Sequence, residues 1–236
     1  MDLTSSFANA VPSALLQRYE WREVRNAAAI VKATNSNEWD DIIKVLTDFR
    51  LTVDELVMAG GNKSDLTGRL ETSFKDRDWR ESRLDTEITL TTERRPYRAG
   101  GEKKSTIESS SVTNQGYLVD GMKGRIALDV EWNAKDGNLD RDIGTYRAMY
   151  EAGFIDAGVI VTRTQEDLRE LAEFVDPGTT KFGTTTTTNL TKLEPRLTRG
   201  DAGGCPILAI AICSRSIQVT RASMWLVCWH KQRAVP

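Results

Sequence analysis

A chain of 236 residues with 39% apolar content has the length and composition for one globular domain whose core needs no disulfides. Its 32 Lys and Arg against 34 Asp and Glu leave a net charge of −2, which excludes a polycation and confines any nucleic-acid contact to a local basic surface. The single histidine, His230, leaves histidine triads and multi-histidine metal sites without material, so acid–base work falls to carboxylates, lysine or activated water.

The N-terminal segment lacks a charged region ahead of an apolar block, and no run is long enough to span a bilayer. A soluble, cytoplasmic chain without a signal peptide and without membrane contact is expected. Tyr19–Thr34 opens as a polar strand or helix start and passes into the apolar run Ala27–Val31, where helix and strand both stay open. Asn35-Ser36-Asn37 supplies capping residues for a helix predicted over 37–50, with Trp39, Ile42, Ile43, Val45 and Leu46 on its apolar stripe. A short helix over 52–58, a break at Gly60-Gly61 and a further helix capped by Ser64 follow. The fragment Gly61-Asn62-Lys63-Ser64 fails as a phosphate-binding loop, because Asn62 stands where a glycine must precede the lysine; no nucleotide cofactor is expected.

Leu84–Thr92 alternates and is rich in threonine, which predicts a strand. Arg94, Arg95, Arg98, Lys103 and Lys104, spaced by Pro96, Gly100 and Gly101, then form a basic loop, followed by a Ser/Thr-rich strand or linker up to Asn114. A solvated loop is one reading of that cluster; phosphate contact beside an acidic strand is the other.

The chain is organised around Tyr117–Asn133. From Arg125 onward Ile126, Leu128, Val130 and Trp132 alternate with Ala127, Asp129, Glu131 and Asn133, the pattern of a half-buried strand. Two carboxylates one repeat apart repel, and a hard divalent cation such as Mg2+ explains them; acids on a solvated strand face are the alternative. Asp120 lies upstream of what reads as a Gly-Met-Lys-Gly turn. A four-residue loop of that kind puts Asp129 roughly 13 Å along its strand, so that a bulge at Gly121 or Gly124 is needed to bring the acids together.

Beyond it, Asp140-Arg141-Asp142 opens a helix with Ile143, Tyr146, Met149 and Tyr150 on its buried face. Ile155–Thr162 is a buried strand, Thr164 caps a helix with Leu168, Leu171 and Phe174 on one face, Asp176–Gly204 reads as irregular, and Pro206–Ile212 is another buried strand. Asn189-Leu190-Thr191 matches a glycosylation acceptor that has no meaning in the cytoplasm. Cys205, Cys213 and Cys228, without CxxC spacing, fit a reducing compartment and argue against structural zinc. The segment 224–229 is an apolar patch without an assigned role. Helices alternating with buried strands predict an α/β layer.

Asp78–Arg83 (DWRESR), Tyr117–Thr162 with its Asp-x8-acid-Val-x-aromatic run and Ile-Asp-x-Gly-Val strand, and the segment 202–211 together resemble type II restriction endonucleases of the BglII/BstYI kind, in the PD-(D/E)XK nuclease superfamily. The resemblance implies a restriction-endonuclease-like fold with a central mixed sheet flanked by helices. It implies a homodimer that clamps double-stranded DNA and cuts both strands of a short palindrome with Mg2+. By motif position Asp120 and Asp129 are metal ligands. Glu131 takes the third position, usually Lys in the superfamily and Gln in the nearest relatives; it resembles the Glu-x-Glu of BamHI-like enzymes, as base or as second ligand. Asn133, Ala134 and Lys135 fall where such enzymes contact DNA, with Lys135 the foremost candidate; an ion pair with Asp136 or Asp140 is its alternative. Arg94, Arg95, Lys103 and Lys104 complete the expected DNA contacts. The expected organisation is one catalytic domain over 1–213 with a C-terminal extension over 214–236. A repair or nicking nuclease of the same fold and a non-catalytic DNA-binding module are the competing readings; the latter calls for a contact face richer in cations than acids.

Overall fold

A computed structural model of the chain describes residues 1–57, 65–183, 186–218 and Trp229. Its centre is a six-stranded mixed sheet. The strands in chain order are β1 (Tyr19–Val24), β2 (Arg80–Arg83), the pair β3 (Thr86–Arg94) and β4 (Thr106–Asn114), which stand apart, then β5 (Leu118–Lys123), β6 (Ile126–Val130), β7 (Ala157–Arg163) and β8 (Ile207–Ile212). Across the sheet the order is β1-β8-β7-β6-β5-β2. β6, β7 and β8 run parallel, and the outer strands pair antiparallel.

Helices cover both faces. On one side lie α1 (Phe7–Ala10), α2 (Ser13–Arg18), α3 (Ala27–Thr34), α4 (Ser36–Asp48), α5 (Val53–Val57) and α6 (Asp65–Lys75). On the other lies α7 (Gly137–Glu151); α8 (Glu166–Val175) returns to the first side and α9 (Leu190–Arg199) to the second. Ile126, Leu128 and Val130 of β6 join the first core, whereas Ala127 joins the second with Leu139, Ile143, Tyr146 and Leu193. β6 is therefore buried on both faces, not half-buried as its alternation suggests, because α7 closes over its polar side.

The open segment 19–34 resolves as strand then helix. Arg25 and Asn26 take left-handed backbone angles, with φ of 59° and 55°, which break the strand and aim the chain into α3. Asn35 precedes α4 without a side-chain cap; its amide instead donates to Asp156 at 3.0 Å. Gly60-Gly61, Ser64 and Cys228 lie outside the described residues, as do 224–228 of the apolar patch; Trp229 is buried in the first core.

Further expectations fail: Thr164 does not cap α8, whose preceding residue is Gln165 without a side-chain cap. The stretch 176–204 contains α9, started by Asn189, whose side chain accepts from the Lys192 amide at 3.1 Å, and ended by Gly200 at φ 86°. The supposed glycosylation triplet is thus a helix start; Pro195 inside the helix hid the Leu190, Leu193, Leu197 spacing. Phe174 is 58% exposed rather than packed with Leu168 and Leu171. Phe174 apart, the apolar faces of α7 and α8 pack into the chain's own core. Among the described residues no helix is long and apolar enough to cross a membrane.

Candidate active site

The β5–β6 hairpin turns at Gly124-Arg125, and not through four residues from Gly121. Lys123 pairs with Ile126, Met122 with Ala127 and Gly121 with Leu128, so Asp120 falls directly opposite Asp129. No bulge is needed. Gly124 takes φ 52° at the first loop position, as two-residue hairpin turns of the II′ kind demand. The turn is pinned on both flanks: Lys123 Nζ donates to Asp41 at 2.7 Å, and Arg125 Nε to Asp156 at 2.9 Å. A slip by one residue would break both pairs and turn Asp129 to the opposite face.

Across this register each acid binds a backbone amide of the facing strand. The Asp120 amide donates to Asp129 Oδ1 at 2.9 Å, and the Val130 amide to Asp120 Oδ2 at 3.0 Å. Tyr146 of α7 donates its hydroxyl to Asp129 Oδ2 at 2.6 Å and also lies 2.9 Å from the Val159 carbonyl. Glu131 follows on the same face, its amide bound to Val161 O at 2.8 Å, and α7 brings Asp142 beside it. Asp129, Glu131 and Asp142 are 1%, 4% and 2% exposed; Asp120 is half-buried.

Four carboxyl groups in a dry site repel one another. Burial, with Asp142 and Asp120 nearby, pushes Asp129 well above the usual carboxylate range. Burial and then Asp142 raise Glu131 in the same way; burial raises Asp142, although Arg141 opposes it. Burial also drives the Tyr146 phenol upward, helped by Asp129, so it stays a donor.

Two oxygens, Glu131 Oε2 and Asp142 Oδ2, are buried without a hydrogen-bond partner. Carboxylate oxygens left without a donor in an all-oxygen set fit a hard divalent cation. Among the described residues no three such side chains stand at ligand spacing about one point, because Asp120 and Asp129 turn their oxygens to amides and to Tyr146. The fold brings Asp120, Asp129 and Glu131 into one cluster without closing them on a common centre.

Gly158 on β7 makes this packing possible. A Cβ there would lie 2.1 Å from Tyr146 Cδ2. Gly158→Ala is expected to destabilise the fold by about 2 kcal/mol, read by urea denaturation, as the overpacked ring is forced off the sheet.

The residues after the acids form a short ladder with the chain ahead of α9. Lys135 bridges to Thr187, the Asp136 amide donates to Thr186 O at 2.9 Å, and Thr188 returns a bond to Ala134 O at 2.9 Å. Buried Arg163 anchors the ladder from below, donating to Trp132 O at 2.7 Å and Thr187 Oγ1 at 2.9 Å. Asn133 and Lys135 are exposed. The alternative pairing for Lys135 is gone, since Asp136 binds Lys192 at 3.1 Å and Asp140 binds Arg196 at 2.7 Å.

The basic loop is not beside the acids. β3 and β4 form an exposed two-stranded ribbon of nine paired positions, from Thr86–Asn114 at its base to Arg94–Thr106 at its tip. At about 3.4 Å per residue the ribbon is roughly 30 Å long. Arg94, Arg95, Arg98, Lys103 and Lys104 crowd its tip, while its base leads through Tyr117 into β5.

Asp142 and Arg141, expected only as the opening of a helix, belong to the acid cluster. An acid at the i−4 position to Tyr146, on the face of a helix otherwise lined by Leu139, Ile143 and Met149, was the available signal.

The profile of the family described as restriction endonuclease BglII/BglIII matches residues 19–212. Those limits are the first residue of β1 and the last of β8, so the match takes in the whole sheet. No curated protein matches the chain. A match over most of the length, on a mixed sheet flanked by helices, establishes the kinship: the chain belongs to the BglII family of restriction endonucleases, type II site-specific nucleases that hydrolyse DNA.

Proposed function

We propose that the protein cleaves both strands of double-stranded DNA at a short palindromic site, as a Mg2+-dependent homodimer, with Asp120, Asp129 and Glu131 as catalytic and metal-binding residues. The observation that carries this reading is the pinned hairpin that sets Asp120 opposite Asp129, with the unpartnered Glu131 Oε2 next on the same face. A divalent ion held by these carboxylates supplies polarisation of the scissile phosphate and acidification of water. Glu131 accepts the proton of the attacking water as its oxygen bonds to phosphorus; the bond to the leaving alkoxide breaks, and solvent protonates it. Tyr146 holds Asp129 in place throughout.

Duplex binding rests on surface charge. In a chain of net charge −2, five cations against Glu102 alone occupy residues 94–104 at the end of the ribbon. The ribbon also exposes Ile88, Leu90 and Val112, and an isolated hairpin of this kind is marginal in water. Thr89–Ser111 and Thr91–Ser109 bonds of 2.7 and 3.0 Å brace it. It is an arm that reaches along the DNA and sets Arg94, Arg95, Lys103 and Lys104 on phosphates remote from the cut, while Asn133 and Lys135 face the duplex beside the acids. The catalytic domain is residues 1–213 with 214–236 as an extension, in a cytoplasmic enzyme; Ile217 bridges back to Leu51.

The test is digestion of a sequenced plasmid with purified protein and Mg2+, with the fragment ends read and the particle mass taken by light scattering. Discrete double-strand fragments from a dimer are expected. A smear or nicked circles from a monomer would favour a repair or nicking nuclease of the same fold.

A further inference from the structure

Four acids at the heart of a phosphodiesterase repel the very group they must receive. One guanidinium answers them. Arg141 Nε lies 2.9 Å and Nη2 2.8 Å from Asp142 Oδ1, and Nη2 stands 3.9 Å from Glu131 Oε1. One edge of the planar fork is thereby fixed on a buried carboxylate. Its remaining nitrogen, Nη1, makes no hydrogen bond among the described residues. The head group is held over the Tyr117 ring at 5.7 Å, and the side chain is 33% exposed. Tyr117 is exposed and Asp120, three residues further on, is half-buried, so the guanidinium stands at the solvent-facing edge of the acid cluster.

From this geometry we propose that Arg141 is a further catalytic residue: held by Asp142, it donates Nη1–H to a non-bridging oxygen of the scissile phosphate. The inference rests on the site reading above and adds to it the cation that receives the substrate. An arginine pre-set by a buried acid loses little freedom on binding, and its planar donors match phosphate better than an ammonium does. Its charge also faces the oxygens on which negative charge grows as the fifth bond to phosphorus forms. Asp142 is the positioning residue of the pair.

The test follows from the plasmid map. Synthetic duplexes carrying the mapped site are made with an ordinary phosphodiester or an uncharged methylphosphonate at the scissile position. Binding of each is measured in EDTA at low salt for the wild type, Arg141→Gln, Arg141→Lys and the charge-balanced Arg141→Gln/Asp142→Asn; single-turnover cleavage of the phosphodiester duplex is measured with Mg2+. We expect Arg141→Gln to lower the cleavage rate about a hundredfold, and Arg141→Lys about tenfold. We expect the ratio of affinities, charged over uncharged duplex, to fall about tenfold in Arg141→Gln and in the double variant, and to be largely kept in Arg141→Lys. A purely structural role for Arg141 would move the rate and leave that ratio alone. An unchanged ratio in folded Arg141→Gln, or in the double variant should the single one fail to fold, overturns the inference whatever the rate. If the wild type leaves plasmid intact, or Asp129→Asn still cuts, the site reading itself falls, and Arg141 with it.

Discussion

Asp129→Asn is expected to lose cleavage by a factor on the order of 10^3 while folding normally and binding DNA as well as or better than the wild type. The asparagine oxygen can still accept the Asp120 amide, which donates at 2.9 Å in the native protein. Tyr146 retains an acceptor too, since its hydroxyl already lies 2.9 Å from the Val159 carbonyl. What disappears is a carboxyl group that, once ionised, gives a cation one negative charge and one anionic oxygen. Without that charge the site repels phosphate less, so the expected signature is strong binding in an electrophoretic shift assay and uncut plasmid in parallel digests. Asp129→Ala is the poorer variant, because it leaves the Asp120 amide and the buried phenol short of partners. Native cleavage by Asp129→Asn would remove this carboxylate from the reaction.

Glu131→Gln should act on stability and activity in opposite directions. Glu131 Oε2 and Asp142 Oδ2 are buried with no partner outside the Glu131–Asp142 pair, whose two carboxyl groups can meet only by sharing a proton. An amide at position 131 supplies donors beside Asp142 and removes one of the mutually repelling groups. The metal-free variant is therefore expected to be more stable than the wild type by about 1–2 kcal/mol. At this chain length that raises Tm by roughly 2–8 °C. Cleavage should fall at least about a hundredfold if Glu131 takes the water's proton. Mg2+ should raise the Tm of the wild type and raise that of Glu131→Gln by less, because a cation that binds the native carboxylates stabilises the fold in proportion to their affinity for it. Scanning calorimetry with and without Mg2+ checks both statements. A variant less stable than the wild type would mean that the Glu131 carboxylate is a structural acceptor after all.

Arg163 shows how a buried charge can serve position rather than chemistry. It lies 1% exposed, and burial lowers its guanidinium to about 10, yet it donates only to uncharged oxygens, among them Trp132 O and Thr187 Oγ1 of the two segments that form the ladder, and Thr164 O and Gln165 Oε1 beside it. Its ring contact with Phe182, at 4.8 Å, closes the same corner. The exposed residues after the acids are thus presented on a braced ladder, held in one geometry by a buried side chain.

Local patterns made several features readable without coordinates. Alternation and apolar runs located β6, β7 and β8, since a parallel strand covered by helices must be apolar wherever it is covered. The helical stripe of α4 was legible for the same reason, and the acids Asp120, Asp129 and Glu131 stood out because charge inside such a pattern needs a cause. Other features depend on contacts between segments far apart in the chain, and no local period encodes those. The register that sets Asp120 against Asp129 is held by Lys123 on Asp41 and Arg125 on Asp156, partners 82 and 31 residues away. The folding-over of α7 turned a half-polar strand into a buried one and delivered Asp142, Arg141 and Tyr146 to the acids. Side-chain type and spacing singled out Asp120, Asp129 and Glu131; only packing, by excluding water and fixing neighbours, decided that Asp142 joins them and that Arg141 comes with it.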